Sequence, residues 1–149
     1  MFIRPVIQDD IGLIAELESR VSSPWSKSQI AAEFTHSAAI IVVAASTKNE
    51  LLTGWCSSRC IAPEAELLKI TVHPNHRRKR VGELLLKEIL QLTAAAGCEE
   101  IFLEVRAQNL PARNLYLKLG FKEFGIRKNY YKQPGDDAIL YRRKSLIFK

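Results

Sequence analysis

From Val81 to about Ala96 the apolar residues Val81, Leu84, Leu85, Ile89 and Leu92 recur at helical spacing on one broad face, and Gly97 can supply the left-handed residue that ends the helix. A helix with so wide an apolar stripe must bury it against another layer. That layer is written on either side of it as apolar and β-branched runs. Phe2 to Val6, Ala38 to Ala45, Leu51 to Ile61, Glu66 to Val72, Ile101 to Arg106, Phe124 to Tyr131 and Ala138 to Ile147 read as strands. Three further helices are expected. One is capped by Asp9 or Asp10 and carries Ile11, Ile14, Leu17 and Val21; one is capped by Ser26, carries Ile30 and Phe34, and stops near His36. The last is short, capped by Asn109, with Pro111 in its first turn and Gly120 at its end. Turns are signalled at Asn49, at Pro63, at His73-Pro74 and in the segment from Gln133 to Asp137. The order β-α-α-β-β-β-α-β-α-β-β predicts one mixed α/β layer structure, with helices placed between strands in the second half.

At 149 residues the chain is the size of one domain, spanning 1–149, and 47% hydrophobic with 26% charged residues places it among ordinary globular proteins. No run of about 18 uncharged apolar residues occurs, and Arg4, Asp9 and Asp10 fall where a signal peptide needs an apolar stretch. A soluble, cytoplasmic protein is expected. The three cysteines, Cys56, Cys60 and Cys98, are an odd count without zinc-site spacing. Cys56 and Cys60 share one predicted strand, about 13 Å apart at roughly 3.3 Å per residue, too far to bridge. All three are expected as reduced packing thiols, and no metal site is expected.

Charge is uneven: residues 1–75 hold 6 Lys/Arg against 8 Asp/Glu, whereas residues 76–149 hold 16 against 8. The basic half suggests an anionic partner. Arg77-Arg78-Lys79-Arg80-Val81-Gly82 lies between a strand and the long helix, where unpaired N–H groups at the positive end of a helix dipole make a phosphate cradle. The same residues also read as a solvated basic loop. Strand alternation puts Glu104 on one face with Phe102 and Arg106, so it is either half of an ion pair with Arg106 or a general base at a cleft. Tyr116 reads as a core aromatic, or as an acid able to protonate a thiolate if a partner thiol is present. His73 and His76 flank a turn and lack a third ligand, which makes them loop histidines. Tyr130 and Tyr131 follow Arg127, Lys128 and Asn129, a pattern that could stack a nucleic-acid base, although adjacent strand residues point to opposite faces.

Several blocks resemble the GNAT acetyltransferases, and within them the bacterial RimI-type branch that acetylates the N-terminal amine of a small-subunit ribosomal protein. They are Pro24-Trp25-Ser26, Val72-His73-Pro74 ahead of the basic loop, Leu103-Glu104-Val105-Arg106-Ala107 with Asn109, Leu115-Tyr116 with Leu119-Gly120-Phe121, Arg127 with Asn129-Tyr130-Tyr131, and Asp137-Ala138-Ile139. The likeness covers nearly the whole chain. It implies a seven-stranded mixed sheet, flanked by about four helices and splayed between its fourth and fifth strands, with acetyl-CoA in the gap. It implies pantetheine pairing with the backbone of Ile70, Thr71 and Val72, near Asn109, and pyrophosphate bound by the loop from Arg77 through Arg78, Lys79, Arg80, Val81 and Gly82 to Glu83. It also implies Glu104 as base, Tyr116 as acid, and Arg106, Tyr130 and Tyr131 at the acceptor. The chain departs from the pattern at Arg80, where the inner glycine of the loop is usual, and at Glu83, where an arginine is common.

The expected activity is acetyl transfer from acetyl-CoA to the N-terminal alanine of a ribosomal protein, with no metal, no membrane partner and no stable nucleic-acid partner. Three other readings remain open on the sequence: acetylation of a lysine side chain or small amine, a basic RNA- or ribosome-binding module, and a catalytically inactive CoA-binding protein.

Overall fold

The computed structural model describes residues 1–46 and 51–144. In chain order the elements are β1 (Phe2–Pro5), α1 (Asp10–Glu18), α2 (Lys27–Phe34), β2 (Ala39–Ala45), β3 (Leu52–Ile61), β4 (Glu64–Val72), a 3-10 turn (Pro74–His76), α3 (Val81–Ala95), β5 (Glu100–Arg106), α4 (Leu110–Lys118), β6 (Lys122–Lys132) and β7 (Gly135–Lys144). The strands form one seven-stranded sheet in the order β1-β2-β3-β4-β5-β7-β6. Every neighbouring pair is antiparallel except β4 and β5. This is the predicted mixed architecture. The turn expected at Asn49 and the end of the last strand, expected at Ile147, lie outside the described residues.

Local chemistry accounts for most boundaries. Ser26 accepts the Gln29 N–H and Gln29 returns a bond to the Ser26 N–H, a complete capping box for α2. Gly97 and Gly120 both sit at φ 91°, the left-handed geometry that ends α3 and α4. The start of α1 differs from expectation, because neither aspartate side chain caps it in the ordinary way. Asp9 makes no side-chain cap, and Asp10 is buried, accepting the Ile7 N–H at 2.8 Å and a two-pronged Arg4 guanidinium at 2.7 and 2.9 Å. Burial raises the Asp10 pKa, but the Arg4 and Ile7 bonds and the Arg4 charge outweigh it and hold the carboxyl below its usual range.

Two cores lie on opposite faces of the sheet. Ile14, Leu17 and Ile30 of α1 and α2 pack on Ile41, Val43 and Trp55, and Arg59 clasps Glu33 of α2 through bonds of 2.7 and 2.8 Å. On the other face Val81, Leu85, Leu86 and Ile89 of α3 pack on Val42, Ala44 and Cys56. Leu84, expected inside, is exposed, and Leu86 takes its place because the buried stripe centres on Leu85. An added Cβ at Gly54 would lie 2.9 Å from both Leu85 Cδ1 and the Thr71 carbonyl, so this close approach of α3 to β3 requires glycine.

The expectation of three reduced thiols is overturned. Cys60 at the end of β3 is disulfide-bonded to Cys98 after α3, with Cα atoms 6.7 Å apart, and Cys56 alone is free and buried among the described residues. Strand spacing excluded the Cys56–Cys60 pair correctly. It carried no information on Cys98, which the α3 crossover brings back to the sheet from 38 residues away.

Candidate active site

β4 and β5 pair only at Glu64–Glu100, Ala65–Ile101 and Glu66–Phe102, and then diverge. Beyond that point β4 bonds only to β3, through Ile70, Thr71 and Val72, and β5 bonds only to β7. Two strand edges therefore face each other with unpaired backbone groups, the arrangement that accepts an extended amide-bearing ligand. Between them opens a cleft of about 960 Å³. Ile70, Thr71 and Val72 form one wall, and Arg106, Asn109 and the β6–β7 turn form the other.

The basic loop closes one end. Arg77, Arg78, Arg80, Val81, Gly82 and Glu83 line the cleft there, at the N-terminus of α3. Lys79 does not; it turns to a smaller neighbouring cavity beside Met1 and Thr53. Arg78 and Arg80 hold φ of 62° and 65°, so the loop reaches left-handed geometry with side-chain-bearing residues where glycine is usual. This conformation costs such a residue roughly 1 kcal/mol or more. Arg80 is held by its own charge: it bonds Glu83 at 2.7 Å. Lys118 reaches the other Glu83 oxygen at 2.6 Å and Lys87 joins at 3.1 Å. Bonds from Arg80, Lys118 and Lys87 pull the Glu83 carboxyl down to about 2. Glu83 is thus the hub that arrays cations at the cleft mouth rather than a lost positive charge. Lys118 carried no motif in the sequence; only the tertiary fold brings the end of α4 within reach of Glu83.

Asn109 lines the cleft and caps α4, accepting the Ala112 N–H at 3.3 Å. Its side-chain amide N–H groups stay available to a ligand. On the same wall, Arg106 lies over the Tyr131 ring at 4.2 Å and donates to the Pro134 carbonyl at 2.7 Å. The expected alternative of a Glu104–Arg106 ion pair is therefore not formed. Glu104 pairs with Arg127 at 3.2 Å, and its side chain is 33% exposed on the sheet face that α4 does not cover. Tyr130 and Tyr131 meet edge to face with centroids 5.1 Å apart, Arg127 lies near the Tyr130 ring, and no flat stacking platform results. Burial first, and then the neighbouring Glu104 charge, raise the Tyr131 phenol above its ordinary value.

Tyr116 is buried against Phe121 and Tyr141, and burial pushes its phenol well above the ordinary range, with smaller contributions from Cys56 and Tyr131. Among the described residues the Ser57 hydroxyl is the one fully enclosed side-chain polar atom without a partner. The Tyr116 hydroxyl makes no bond to another described residue, and its ring is buried. Glu104, Tyr116, Tyr130 and Tyr131 all stand outside the wall of the cleft proper. Tyr131 is coupled electrostatically both to Tyr116 and to Glu104.

The frame of this site is a sheet parted between two central strands, with the cation-lined start of α3 at the mouth of the opening. Residues 12–121 match the acetyltransferase (GNAT) family, and the chain belongs to that family and is an acetyltransferase. A Bacillus subtilis (strain 168) protein named as a candidate ribosomal protein bS18-alanine N-acetyltransferase is 33% identical over 141 residues, 93% of this chain and 91% of its own. The crystal structure of the Escherichia coli ribosomal-protein-S18-alanine N-acetyltransferase superposes with a TM-score of 0.87 at 28% identity, over 97% of this chain and 93% of that one. The fold is shared with Arabidopsis thaliana NAA60, solved in complex with acetyl-CoA, at a TM-score of 0.86 and 15% identity over 96% of this chain and 97% of that one.

Proposed function

We propose that this chain moves an acetyl group from acetyl-CoA to the α-amine of a protein N-terminus, and that the acceptor is the N-terminal alanine of ribosomal protein bS18. The observation that carries the reading is the arrest of β4–β5 pairing after Glu66–Phe102, which leaves the Ile70–Val72 edge open beside the start of α3. The residues present suit acetyl-CoA: backbone amides of β4 for its pantetheine arm, Asn109 nearby, and the N–H groups from Arg78 to Glu83 with flanking cations for its phosphates. Bound there, it supplies an activated thioester.

The chain's own groups then have distinct tasks. Glu104, reached from the open face of β5, takes the proton from the incoming ammonium, directly or through one water. Arg127 holds that carboxylate in place. Tyr116, kept protonated by burial, gives its proton to the departing thiolate. Arg106 and Tyr131 brace the β6–β7 turn along the acceptor side. The cytoplasm follows as the setting, since that is where ribosomal proteins present free N-termini. No helix of the described residues is long and apolar enough to cross a membrane.

The test is thiol release from acetyl-CoA with a peptide carrying the bS18 N-terminus, beside N-blocked lysine peptides and small amines. Turnover with the alanine-led peptide is expected. Turnover confined to lysine or small amines overturns the acceptor, and none at all overturns the reading.

A further inference from the structure

The connection between α1 and α2 forms no regular structure, yet Val21 and Ser22 within it line the cleft beside β4. It is held by one carboxylate. Glu18, the last residue of α1, is fully buried. Its Oε1 accepts the Trp25 N–H at 2.8 Å. Its Oε2 accepts the Trp55 indole N–H at 3.0 Å and the Thr71 hydroxyl at 2.6 Å. Lys69 approaches Oε1 to 3.4 Å and donates to the Ser23 carbonyl at 2.9 Å. One side chain thereby ties three segments together: the α1–α2 connection, β3, and the stretch of β4 that borders the opening.

A buried carboxylate persists only when hydrogen bonds and a counter-charge replace the water it has lost. Its partners lie in the connection, on β3 and on β4, so satisfying Glu18 and placing the connection are the same event. Ser23 is held at φ 55°, a left-handed conformation costly for a residue with a side chain, with its carbonyl fixed by Lys69. Leu103 and Val105 pack into the α3-side core, so Glu104 between them projects to the opposite face, the one that α1 and α2 cover farther along the sheet. Glu104 thus lies on the face of the sheet that carries the connection, while the basic loop lies at α3.

We infer that Glu18 is a positioning residue that sets the acceptor-side wall of the cleft against β4, so that weakening it harms acceptor binding far more than acetyl-CoA binding. The inference rests on the acetyl-transfer reading, but part of its test does not. The only two tryptophans in the chain, Trp25 and Trp55, both bond Glu18 and meet edge-on with centroids 5.5 Å apart, so the clamp carries its own fluorescent reporter.

Two variants are compared with wild type. Glu18→Gln presents an amide N–H where an acceptor oxygen is needed, and Lys69→Met removes the Ser23 bond while leaving Glu18 its three hydrogen-bond donors. The expected result for Glu18→Gln is a rise in KM for the alanine-led peptide of about tenfold, the equivalent of about 1.4 kcal/mol. A smaller rise is expected for Lys69→Met. KM for acetyl-CoA should stay within about twofold in both, with tryptophan emission shifted to the red and more readily quenched by acrylamide. A fall in kcat with both KM values unchanged, or an equal rise in both, overturns the inference and marks Glu18 as structural only. If Glu18→Gln does not fold, Lys69→Met carries the same comparison. If wild type acetylates no amine, the acetyl-transfer reading fails separately. Quenching and acetyl-CoA binding then decide: looser tryptophans with unchanged binding sustain the clamp, and unchanged quenching removes it.

Discussion

On β2 and β3 most residues are buried, since α3 covers one face and α1 with α2 covers the other, whereas on β6 only Gly125 and Tyr131 are even half-covered. The opening between β4 and β5 is where these two constructions meet. A strand buried on both faces is held by packing and can offer one bare backbone edge without shifting. A strand left open on one face can carry polar and ionisable groups that water still reaches, and Glu104, Arg106 and Arg127 stand on that side. In the proposed reading the firm half presents a fixed edge for acetyl-CoA, and the open half presents chemistry to an acceptor.

The largest effect expected is chemical and falls on the open side. Glu104→Gln and Tyr116→Phe should each lower kcat by about 10²-fold or more while CoA affinity, measured by calorimetry, changes little. Full activity of either variant across the pH range removes that residue's role. Because burial holds the Tyr116 phenol above its ordinary value of 10.0, no alkaline fall in rate from its ionisation should occur below that pH.

Stability should divide the other way. Leu85→Ala, emptying a fully buried site under α3, is expected to cost about 3 kcal/mol in urea unfolding. Phe124→Ala, on the half-exposed face beside Phe102, should cost about 1 kcal/mol or less. Equal losses would abolish the contrast between the halves. Reducing Cys60–Cys98, which closes a 38-residue separation, should remove up to about 4 kcal/mol, and thiol titration in denaturant should rise from one group to three.

The smallest effect is electrostatic, at the cleft mouth. Glu83 sits near 2 in the folded chain against an ordinary 4.5, so its pairing stabilises the fold above the ordinary value and fades as pH falls from there toward 2. Asp10, also lowered, acts in the same direction. Glu83→Gln should flatten the acid limb of unfolding curves measured between pH 5 and 2, and an unchanged limb would place the dependence elsewhere.

Much of this was legible in the chain. Ser26 with Gln29, Gly97, Asn109 and Gly120 mark helix ends through bonds within a few residues, and the apolar periods of α3 and β5 state which face is buried. Those are local interactions. Of the residues that the resemblance placed in order, Ile70, Thr71, Val72, Arg106, Asn109 and the loop from Arg77 to Glu83 without Lys79 line the cleft, whereas the lining by Val21, Ser22, Lys69 and Lys118 was not foreseen. Three features were not foreseen either: the Glu83 hub with Lys118, the Cys60–Cys98 bond, and the Glu18 clamp. Each joins residues from separate elements, and no periodicity or motif encodes which distant side chain will arrive. Leu84 and Leu86 exchanged places for a related reason, since spacing defines a stripe but the neighbouring layer decides where its centre falls.

The sequence alone determined the succession of strands and helices, the basic start of α3 and the type of groups available for proton transfer, since propensity, capping and alternation act over a few residues. Tertiary structure alone decided that β4 and β5 part after three pairs, that Glu104 meets Arg127 rather than Arg106, and that buried Glu18 gathers three segments. Those outcomes depend on which surfaces pack together, and packing is a property of the whole chain.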